Sequence, residues 1–569
     1  MRVAILNNPG GLSAYYGEIF QAWGLPIFDL VAPGALESLD ASETPLLIIP
    51  AQRNGETAAQ SLLDYTERGG TLITFLPKNE IARAAGLEFK IEKETPLRFR
   101  VTQYPVAGLA GELLPIVGRA AEYELSDASQ ILGFLSFPGS YQGESVGAAV
   151  TEKGQGRIVS VFFDLALCVL MLRQGDPERA EFVPEGDGCA RPSHMAADIG
   201  PNDTAWIPYA DLLGRWLVDL VRRYLDAPVP LLSNLPGEAP GILLYSGDED
   251  HAEVAWNDEQ LNWIAGAGGR MNLYIIPNGT RSTLEDSQRY LERHDLGPHP
   301  NLRPLDGEPV SKRLEEFERQ IKMFNEVFEQ KARTLRNHCT AWAGYLEPVE
   351  IMERNGIEMD GNYFSSTYMR DREGAPYAGF GSALPMRFIH PDGQLYKVFQ
   401  QHTHITDDVL FGNADYSFKL SPEQFEAILD RIYDDITNRF HTPFAVCIHP
   451  SNWAKFSSQQ GRALLLRAGE RGMPVWSFDQ WLDFLKARDS WRFEKLEWNG
   501  HTLEILLEGE SAHDGLRALI PASHGRLQIK QLVSLGTVVP AQRHKQNVVL
   551  AAVPPGETRL SLTVEYEPC

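Results

Sequence analysis

The sequence predicts an α/β protein with three domains: an α/β domain with a parallel sheet, a distorted βα barrel and a carboxyl-terminal β-sandwich. Two observations predict this. The chain has 569 residues, and a single hydrophobic core stops growing at about 250–300 residues. Apolar runs typical of buried strands alternate with helical patterns up to residue 491, whereas apolar and polar residues alternate with a period of two from residue 492 onward.

The first predicted domain covers residues 1–225. Strands are expected at 3–6, 45–50 and 70–75, with helices at 16–23 and 58–68 between them. A late strand within 154–165 completes the same sheet. Alternation of this kind is typical of a parallel sheet covered by helices.

Two segments of this domain carry a resemblance to a known fold. Leu-Leu-Ile-Ile-Pro at 46–50 and Gly-Gly-Thr-Leu-Ile at 69–73, separated by a helix, are similar to the class I glutamine-amidotransferase-like fold. Enzymes of that family need a cysteine on a tight turn after a strand. The two candidate turns, 50–54 and 76–79, contain no cysteine, serine or threonine. The resemblance therefore implies a non-catalytic domain, of the kind found in some glycosidases.

Two irregular segments precede the second domain. Residues 174–204 are rich in Pro, Gly, Asp and Glu, which predicts a long loop or lid. A helix is expected at 210–225. Four prolines within 226–241 then indicate a linker.

Residues 242–491 are predicted to form the βα barrel and residues 492–569 the sandwich. The barrel strands are expected at 242–245, 271–276, 334–336 and 445–448, and its helices at 258–265, 311–331 and 422–440. In such a barrel the reactive groups lie on loops at the carboxyl ends of the strands. The sandwich strands are expected at 503–507, 527–529, 548–553 and 559–566.

Charge and cysteine content limit the kinds of partner and cellular location that are expected. The net charge of −24 opposes binding to nucleic acid or to an anionic membrane, because both require basic patches. Five scattered cysteines suggest neither a disulfide framework nor a zinc knuckle. The apolar run at the amino terminus is too short for a signal peptide, so a cytoplasmic location is expected. Amidotransferase-like domains often mediate assembly, so by analogy the possibility that this protein forms a homo-oligomer is left open.

The first candidate site is the acidic run Ser-Gly-Asp-Glu-Asp-His at 246–251, at the end of a predicted strand. Three successive acids repel one another unless a cation or strong donors compensate. A metal ligand beside a general base is one interpretation, and a solvated acidic loop or helix cap is the other. Histidines in 294–299, 336–338 and 448–453 favour the first, since a barrel gathers its loops on one face and Asp with His suits zinc or a similar divalent ion.

This ordered set resembles the polysaccharide deacetylase (NodB-like carbohydrate esterase) family over residues 241–491. Members of that family have a distorted βα barrel and remove N-acetyl or O-acetyl groups. The resemblance implies that Asp248 is the base and Asp250 a metal ligand. The stretch His-Asp-Leu-Gly-Pro-His at 294–299 matches a family motif and makes His299 a second ligand.

One position departs from the family pattern. The usual second histidine would fall at Arg303, which cannot bind a cation. His338, in Arg-Asn-His at 336–338, is expected to substitute as the third ligand. Arg336 corresponds to the family arginine that orients the base.

The same resemblance implies the remaining roles. His449, in Ala-Val-Cys-Ile-His at 445–449, is the candidate general acid. Asp360 and Tyr363 are expected near the substrate. Trp453 is expected to stack on a sugar face, with simple packing as the alternative.

Other histidines and cysteines are expected to be structural. His402 and His404 could face one side of a strand, but exposed polar histidines are the favoured interpretation. His390 and His441 are left as structural. Cys339 and Cys447 are expected in the core, which argues against a Cys-His nucleophile.

The function that this pattern predicts is metal-dependent hydrolysis of acetyl groups on an amino sugar or polysaccharide. Two alternatives stay open. One is a catalytically inactive carbohydrate-binding or scaffold protein with a deacetylase-like barrel. The other is a glycoside hydrolase whose paired carboxylates lie about 5–10 Å apart.

Overall fold

The computed structural model describes residues 1–51, 59–102, 113–126, 129–138, 143–196, 207–363, 381–415, 417–544 and 547–569. Three predicted features lie partly outside these residues: the turn at 50–54, the start of the helix at 58–68 and the end of the loop at 174–204. Among the described helices, none is long and apolar enough to cross a bilayer.

The first region is an α/β unit with a nine-stranded sheet, ordered β2-β1-β3-β4-β11-β10-β9-β6-β7. Its elements are β1 Val3–Leu6, α1 Ser13–Ala22, β2 Phe28–Val31, β3 Leu46–Ile49, α2 Ala59–Glu67, β4 Thr71–Phe75, α3 Asn79–Ala84, β5 Leu87–Lys93, β6 Leu97–Val101, β7 Leu114–Ile116, β8 Ala120–Leu125, β9 Gln130–Ser136, β10 Ser145–Lys153, β11 Gly156–Val161, α4 Leu165–Gln174, α5 Pro192–Ala196 and α6 Tyr209–Tyr224.

Five neighbouring strands of this sheet pair in parallel, in the order β2, β1, β3, β4 and β11. The remaining strands pair antiparallel. Strands β1, β3 and β4 are buried at every position. Parallel strands covered on both faces have this continuous apolar character. The predicted α/β class and parallel sheet are confirmed, and the antiparallel extension is an addition to the prediction.

The second region carries the barrel-like strands. Its elements are β13 Ile242–Asp248, α7 Val254–Gly266, β14 Asn272–Ile275, α8 Leu284–Leu291, β15 Asp295–Pro298, α9 Val310–Val327, β16 Thr334–Leu335, α10 Glu347–Arg354, β17 Met359–Asp360, β18 Met386–Ile389, β19 Leu395–Gln400, β20 Ile405–Thr406, α11 Asp407–Phe411, α12 Pro422–Asp435, β21 Pro443–Cys447, α13 Pro450–Asn452, α14 Ser458–Glu470, β22 Val475–Trp476 and α15 Phe478–Asp489.

These strands do not join into a closed barrel within the described residues. One sheet has the order β15-β14-β13-β21-β20, with β22 on β13, and another has β16-β17-β19-β18. The two sheets meet where Arg336 N–H donates to the Pro298 carbonyl (3.4 Å) and His338 N–H to Pro300 (3.0 Å). Strands β13, β14, β15, β20 and β21 are parallel. Their carboxyl ends therefore deliver their loops to one side.

The last region consists of two antiparallel sheets. Its strands are β23 Arg492–Trp498, β24 Thr502–Glu508, β25 Arg517–Pro521, β26 Ser523–His524, β27 Leu527–Ser534, β28 Thr537–Val539, β29 Arg543–His544, β30 Val548–Ala552 and β31 Arg559–Pro568. Strand β12 (Leu231–Leu232), within the proline-rich linker, pairs with β25. The linker is thus fixed to the last region as an edge strand.

The three regions are packed against one another. One apolar core contains Trp216 of the first region, Leu384 of the second and Leu503 of the third. The loop that follows α4 rests on the second region, where Trp342 N–H donates to the Ala190 carbonyl (2.9 Å) and Gly344 N–H to Glu181 (2.6 Å). This loop thereby reaches the side on which the strand ends converge.

Candidate active site

Asp248 is the last residue of β13, and Arg336 holds its carboxylate. Arg336 Nε lies 3.0 and 3.1 Å from the two Asp248 oxygens, and its Nη2 lies 2.5 Å from Oδ1. Both side chains are buried. Burial alone would raise the pKa of Asp248, but Arg336, together with His299 and His449, outweighs burial and lowers the pKa. Asp248 is therefore an ionised, oriented carboxylate, as a general base requires.

Asp250, His299 and His338 converge beside it. Asp250 Oδ1 lies 3.1 Å from His299 Nε2 and 2.9 Å from His338 Nδ1. One potential ligand atom from each residue lies within 4.8 Å of the other two. His299 Nδ1–H donates to the Arg336 carbonyl (2.7 Å), which directs Nε2 toward Asp250. Partners of this kind commonly fix metal-binding histidines, and one carboxylate with two imidazoles suits zinc.

The backbone has an uncommon conformation at Asp250 and directly after His338. Asp250 and His251 have φ of +46° and +61°, and Cys339 and Thr340, directly after His338, have +53° and +48°. Left-handed conformations of non-glycine residues cost about 1–3 kcal/mol each and cluster at functional sites. Two strained turns that aim side chains at one point indicate a built site rather than a loose acidic loop.

His449 follows β21 by two residues and is held by Asp407. His449 Nδ1 lies 2.6 Å from Asp407 Oδ1, and the His449 N–H donates to Oδ2 (3.1 Å). Asp407 also accepts a hydrogen bond from Ser457 Oγ (2.8 Å). Burial works against a charged imidazole, but the Asp407 carboxylate helps to raise the pKa of His449 well above its usual value. The other ring nitrogen, Nε2, lies 3.6 Å from Asp250 and 4.0 Å from Asp248.

Asp407 was not among the sequence-predicted residues. It is fully buried and directly follows β20, a strand of only two residues. Its position obeys the same rule that pointed to Asp248, a polar residue at the carboxyl end of a strand. A two-residue strand leaves too short an apolar run for that signal to be recognised in the sequence.

Two other groups of side chains have a spacing that could hold a metal: Asp248, Cys447 and His449, and Asp407, Asp408 and His449. Both are less suitable than the group around Asp250. Asp248 is occupied by Arg336, and burial raises the pKa of the Cys447 thiol. Asp407 already accepts three hydrogen bonds from the His449 and Ser457 groups described above.

A cavity of about 260 Å³ lies over these residues. The floor contains Asp248, Asp250 and His449, and Arg191 and Ser193 of the first region line it as well. This volume is close to the lower end of the roughly 300–1,000 Å³ range of small-molecule sites. The described part of the segment 174–204, predicted as a long loop or lid, thus forms one wall of the cavity.

The three predicted substrate contacts are not among the described residues that line this cavity. Trp453 is 1% exposed and packs against Trp263, with ring centroids 5.6 Å apart. Tyr363 is fully buried against Trp342. Asp360 is fully buried and accepts a hydrogen bond from Asn362 Nδ2 (2.7 Å). Simple packing, the alternative for Trp453, is what the structure shows.

Other expectations also need correction. His402 and His404 are buried rather than exposed, and Ala445 N–H donates to His404 Nδ1 (2.9 Å). Cys339 is exposed rather than in the core, because the turn after β16 carries it to the cavity wall. Cys447 is buried as predicted. Arg303 lines the cavity but is not one of the three converging ligands.

No protein-family model and no curated protein matches the chain. Solved structures with some similarity include Agd3, a carbohydrate deacetylase (9% identity, TM-score 0.43, covering 100% of this chain and 99% of that chain). A mutant of a CE4 family pseudoenzyme with restored activity has 12% identity and a TM-score of 0.28, covering 45% and 72%. A β-galactosidase from Bacillus circulans sp. alkalophilus has 12% identity and a TM-score of 0.24, and the match covers 33% of each chain. With TM-scores below 0.5, these similarities carry no weight in assigning a function.

Proposed function

We propose that this protein is a metal-dependent carbohydrate deacetylase that hydrolyses an acetyl group on an amino sugar or polysaccharide. The observation that carries the proposal is that a three-ligand group lies beside two separately oriented candidate catalytic groups, at a cavity lined by Asp248, Asp250 and His449. Asp248 is fixed by Arg336, and His449 is fixed by Asp407. A general base and a general acid beside a metal site are the parts that amide hydrolysis requires.

Asp250, His299 and His338 would hold the ion, which we propose is zinc. One carboxylate and two imidazoles leave a coordination position open, as in catalytic rather than structural zinc sites. When bound, the ion would polarise the acetyl carbonyl and lower the pKa of the attacking water.

The chain's own residues supply the proton transfers. Asp248 accepts the proton of the attacking water, and its bidentate contact with Arg336 keeps the carboxylate ionised and in place. His449, protonated and held by Asp407, donates a proton to the departing amine nitrogen. The carbon–nitrogen bond breaks, and acetate and a free amine are released.

The test is acetate release from N-acetylated oligosaccharides, with Asp248→Asn as the diagnostic variant. Loss of the base should reduce turnover about 10²- to 10⁴-fold while the bound metal stays at the wild-type level. Asp258→Asn, on the exposed side of α7, is the matched control. Full activity of Asp248→Asn would refute its role. Release of reducing ends instead of acetate would favour glycoside hydrolysis, and binding without product would favour the scaffold alternative.

A further inference from the structure

We propose that the substrate of this cavity carries an anionic group, a carboxylate or a phosphate, which Arg191 and Arg303 bind. The inference rests on the proposed deacetylase function and names its substrate class. Both arginines line the cavity that contains Asp248, Asp250 and His449. They come from different parts of the chain: Arg191 from the segment between α4 and α5, and Arg303 from the segment after β15.

Arg303 has unused donors at the cavity. Its Nε donates to Asp306 Oδ2 (2.6 Å), a carboxylate that is not part of the cavity lining. Among the described residues, Nη1 and Nη2 of Arg303 make no hydrogen bond. Gly188 lies against this guanidinium, and a Cβ there would be 2.5 Å from Nη2. A larger side chain at this position would therefore collide with the guanidinium of Arg303.

Arg191 forms an ion pair with Asp187 but keeps free donors at the cavity. Its Nε and Nη2 donate to Asp187 (3.0 and 2.9 Å), and its Nη1 donates to the Cys339 carbonyl. Asp187 is shared with His194 Nε2 at 3.0 Å. A guanidinium has five N–H donors, so one on each terminal nitrogen of Arg191 is left for a ligand.

The other charges of the cavity already have partners. Arg336 is paired with Asp248, and Asp250 faces two imidazoles. Asp408 accepts a hydrogen bond from Thr406 (2.6 Å). Arg191 and Arg303 each pair with one carboxylate, Asp187 and Asp306, but keep N–H donors for a ligand. In a chain with a net charge of −24, two arginines with free donors at one cavity favour an anion there.

The guanidinium geometry narrows the ligand. Arginine presents a planar fork that matches carboxylate and phosphate oxygens in a bidentate manner. A uronic acid unit next to the acetylated sugar supplies a carboxylate, and a phosphorylated amino sugar supplies a phosphate. A purely structural role, in which both arginines only hold the loop, is the competing explanation.

The experiment compares matched substrates on the full-length, zinc-loaded protein. The first pair is an oligosaccharide of alternating N-acetylhexosamine and uronic acid, and the same oligosaccharide with its carboxyl groups reduced to alcohols. The second pair is an N-acetylamino sugar with and without a phosphate. We expect kcat/KM for acetate release to be about ten- to hundredfold higher for the anionic member of one pair, mainly through KM. The preferred pair identifies the anion, and no preference in either pair overturns the proposal.

Variants separate recognition from structure. Arg303→Gln should bring the anionic-to-neutral ratio of kcat/KM close to one, and Arg303→Lys, which keeps the charge but loses the fork, should give an intermediate ratio. Arg289→Gln, on α8, should leave the ratio at the wild-type value. If the Arg303 variants lower both rates equally and keep the ratio, the arginine only holds the loop and the proposal is wrong.

A binding measurement keeps this proposal distinct from the proposed function. Calorimetry on Asp248→Asn measures binding and requires no turnover. The ligands are the acidic and the carboxyl-reduced oligosaccharides, and the phosphorylated sugar and its neutral partner. Tighter binding of one anionic ligand, lost in Asp248→Asn/Arg303→Gln, supports anion recognition even when no acetate is released by the wild type. In that case only the deacetylase function fails. Equal binding within both pairs overturns the anion proposal and leaves the deacetylase function standing.

Discussion

His449 depends on Asp407 for its orientation and for its charge. The carboxylate lies 2.6 Å from Nδ1 in a fully buried position, where a negative charge strongly favours the protonated imidazole. Nε2 is left free to face Asp248 and Asp250. The pair therefore explains how a histidine can keep a transferable proton at neutral and alkaline pH.

Asp407→Asn should shift the pH profile of deacetylation. Without the negative charge the pKa of His449 falls, so the catalytic acid loses its proton at lower pH and the alkaline limb of kcat/KM moves to lower pH. The measurement is kcat/KM between pH 5 and 10 for the variant and the wild type. An alkaline limb that stays in place, at whatever rate, would contradict the role of Asp407.

His294, in the same predicted motif as His299, is a core residue. It is 3% exposed, and its Nε2–H donates to the Leu261 carbonyl (2.9 Å). Burial lowers the pKa of His294 to about 4. Below its ordinary pKa the unfolded chain binds a proton that the folded chain does not, so stability falls as the pH decreases from 6.5 to about 4.

The loss from this one group should be about 3 kcal/mol, at about 1.4 kcal/mol per pKa unit. His294→Gln should therefore show a flatter decline of urea stability between pH 6.5 and 4 than the wild type. His501→Gln, at an exposed turn, is the control and should decline as the wild type does. Identical slopes in wild type and His294→Gln would show that His294 does not control the acid sensitivity.

Sequence order and family resemblance pointed to Asp248, Asp250, His299, Arg336, His338 and His449, and the structure brings these residues together. Their roles remain proposals. The expected substrate contacts lie outside the described cavity lining for a physical reason. Whether Trp453 faces a cavity or the core depends on α7, whose Trp263 covers it, and no local pattern around residue 453 contains that information.

At the scale of elements, strands β15 and β16 approach so closely that one glycine is required between them. A Cβ on Gly297 would lie 2.5 Å from the Thr334 carbonyl oxygen and 2.8 Å from the Tyr274 ring. The first of these atoms belongs to the backbone, which cannot move without shifting a strand. The spacing between the strands also sets the distance between His299 and His338, which follow them.

Gly297→Ala should therefore lower the free energy of unfolding by about 1–3 kcal/mol, as overpacking does, and should weaken zinc binding. Gly266→Ala in α7 has open space around the added carbon and is the matched control. It should be as stable as the wild type or more stable. Melting temperatures and zinc titrations check both variants. Equal melting and equal zinc affinity for the two would contradict the account of this strand pair.

Long elements were easier to predict than short ones. The helix expected at 311–331 is α9 Val310–Val327, and the strand expected at 242–245 lies within β13 Ile242–Asp248. Strands β16, β17 and β20 have two residues each. Their conformation comes from pairing with neighbouring strands rather than from an apolar run. Sequence patterns therefore predicted these strands only in part or not at all.

At the scale of the whole molecule, a buried ion pair within the first region binds the backbone of the second region. Arg173 Nη1 lies 3.3 Å from Asp211 Oδ1 and 2.8 Å from the Leu384 carbonyl oxygen. The N–H groups of Ala383 and Leu384 donate to Asp211 Oδ2 (2.6 and 3.1 Å). Burial raises the pKa of Asp211 to about 6 even beside this arginine.

Arg173→Met should reduce stability by about 3–5 kcal/mol, because it leaves a buried carboxylate without its cation. The double variant Arg173→Met/Asp211→Leu should recover part of this loss, since it removes the unpaired charge. Urea unfolding of both variants and of Asp211→Leu gives the comparison. A double variant whose loss equals the sum of the two single losses would show that the pair is not coupled.

The packing between the three regions could not be predicted from the sequence. Patterns indicated changes near residues 225, 242 and 492, and the division into three domains remains a prediction. One apolar core nevertheless includes Trp216, Leu384 and Leu503. The faces that dock depend on how complete sheets and helices are arranged in space, so a pattern within one segment does not reveal them.

The central claim, that Asp250, His299 and His338 hold a catalytic divalent ion, is tested most directly by anomalous diffraction from crystals of the protein soaked in zinc. The account predicts one strong peak at about 2.0–2.2 Å from a ligand atom of each of these three residues. A peak at Asp407, Asp408 and His449, or at Asp248, Cys447 and His449, would contradict it, as would the absence of a peak at the predicted position.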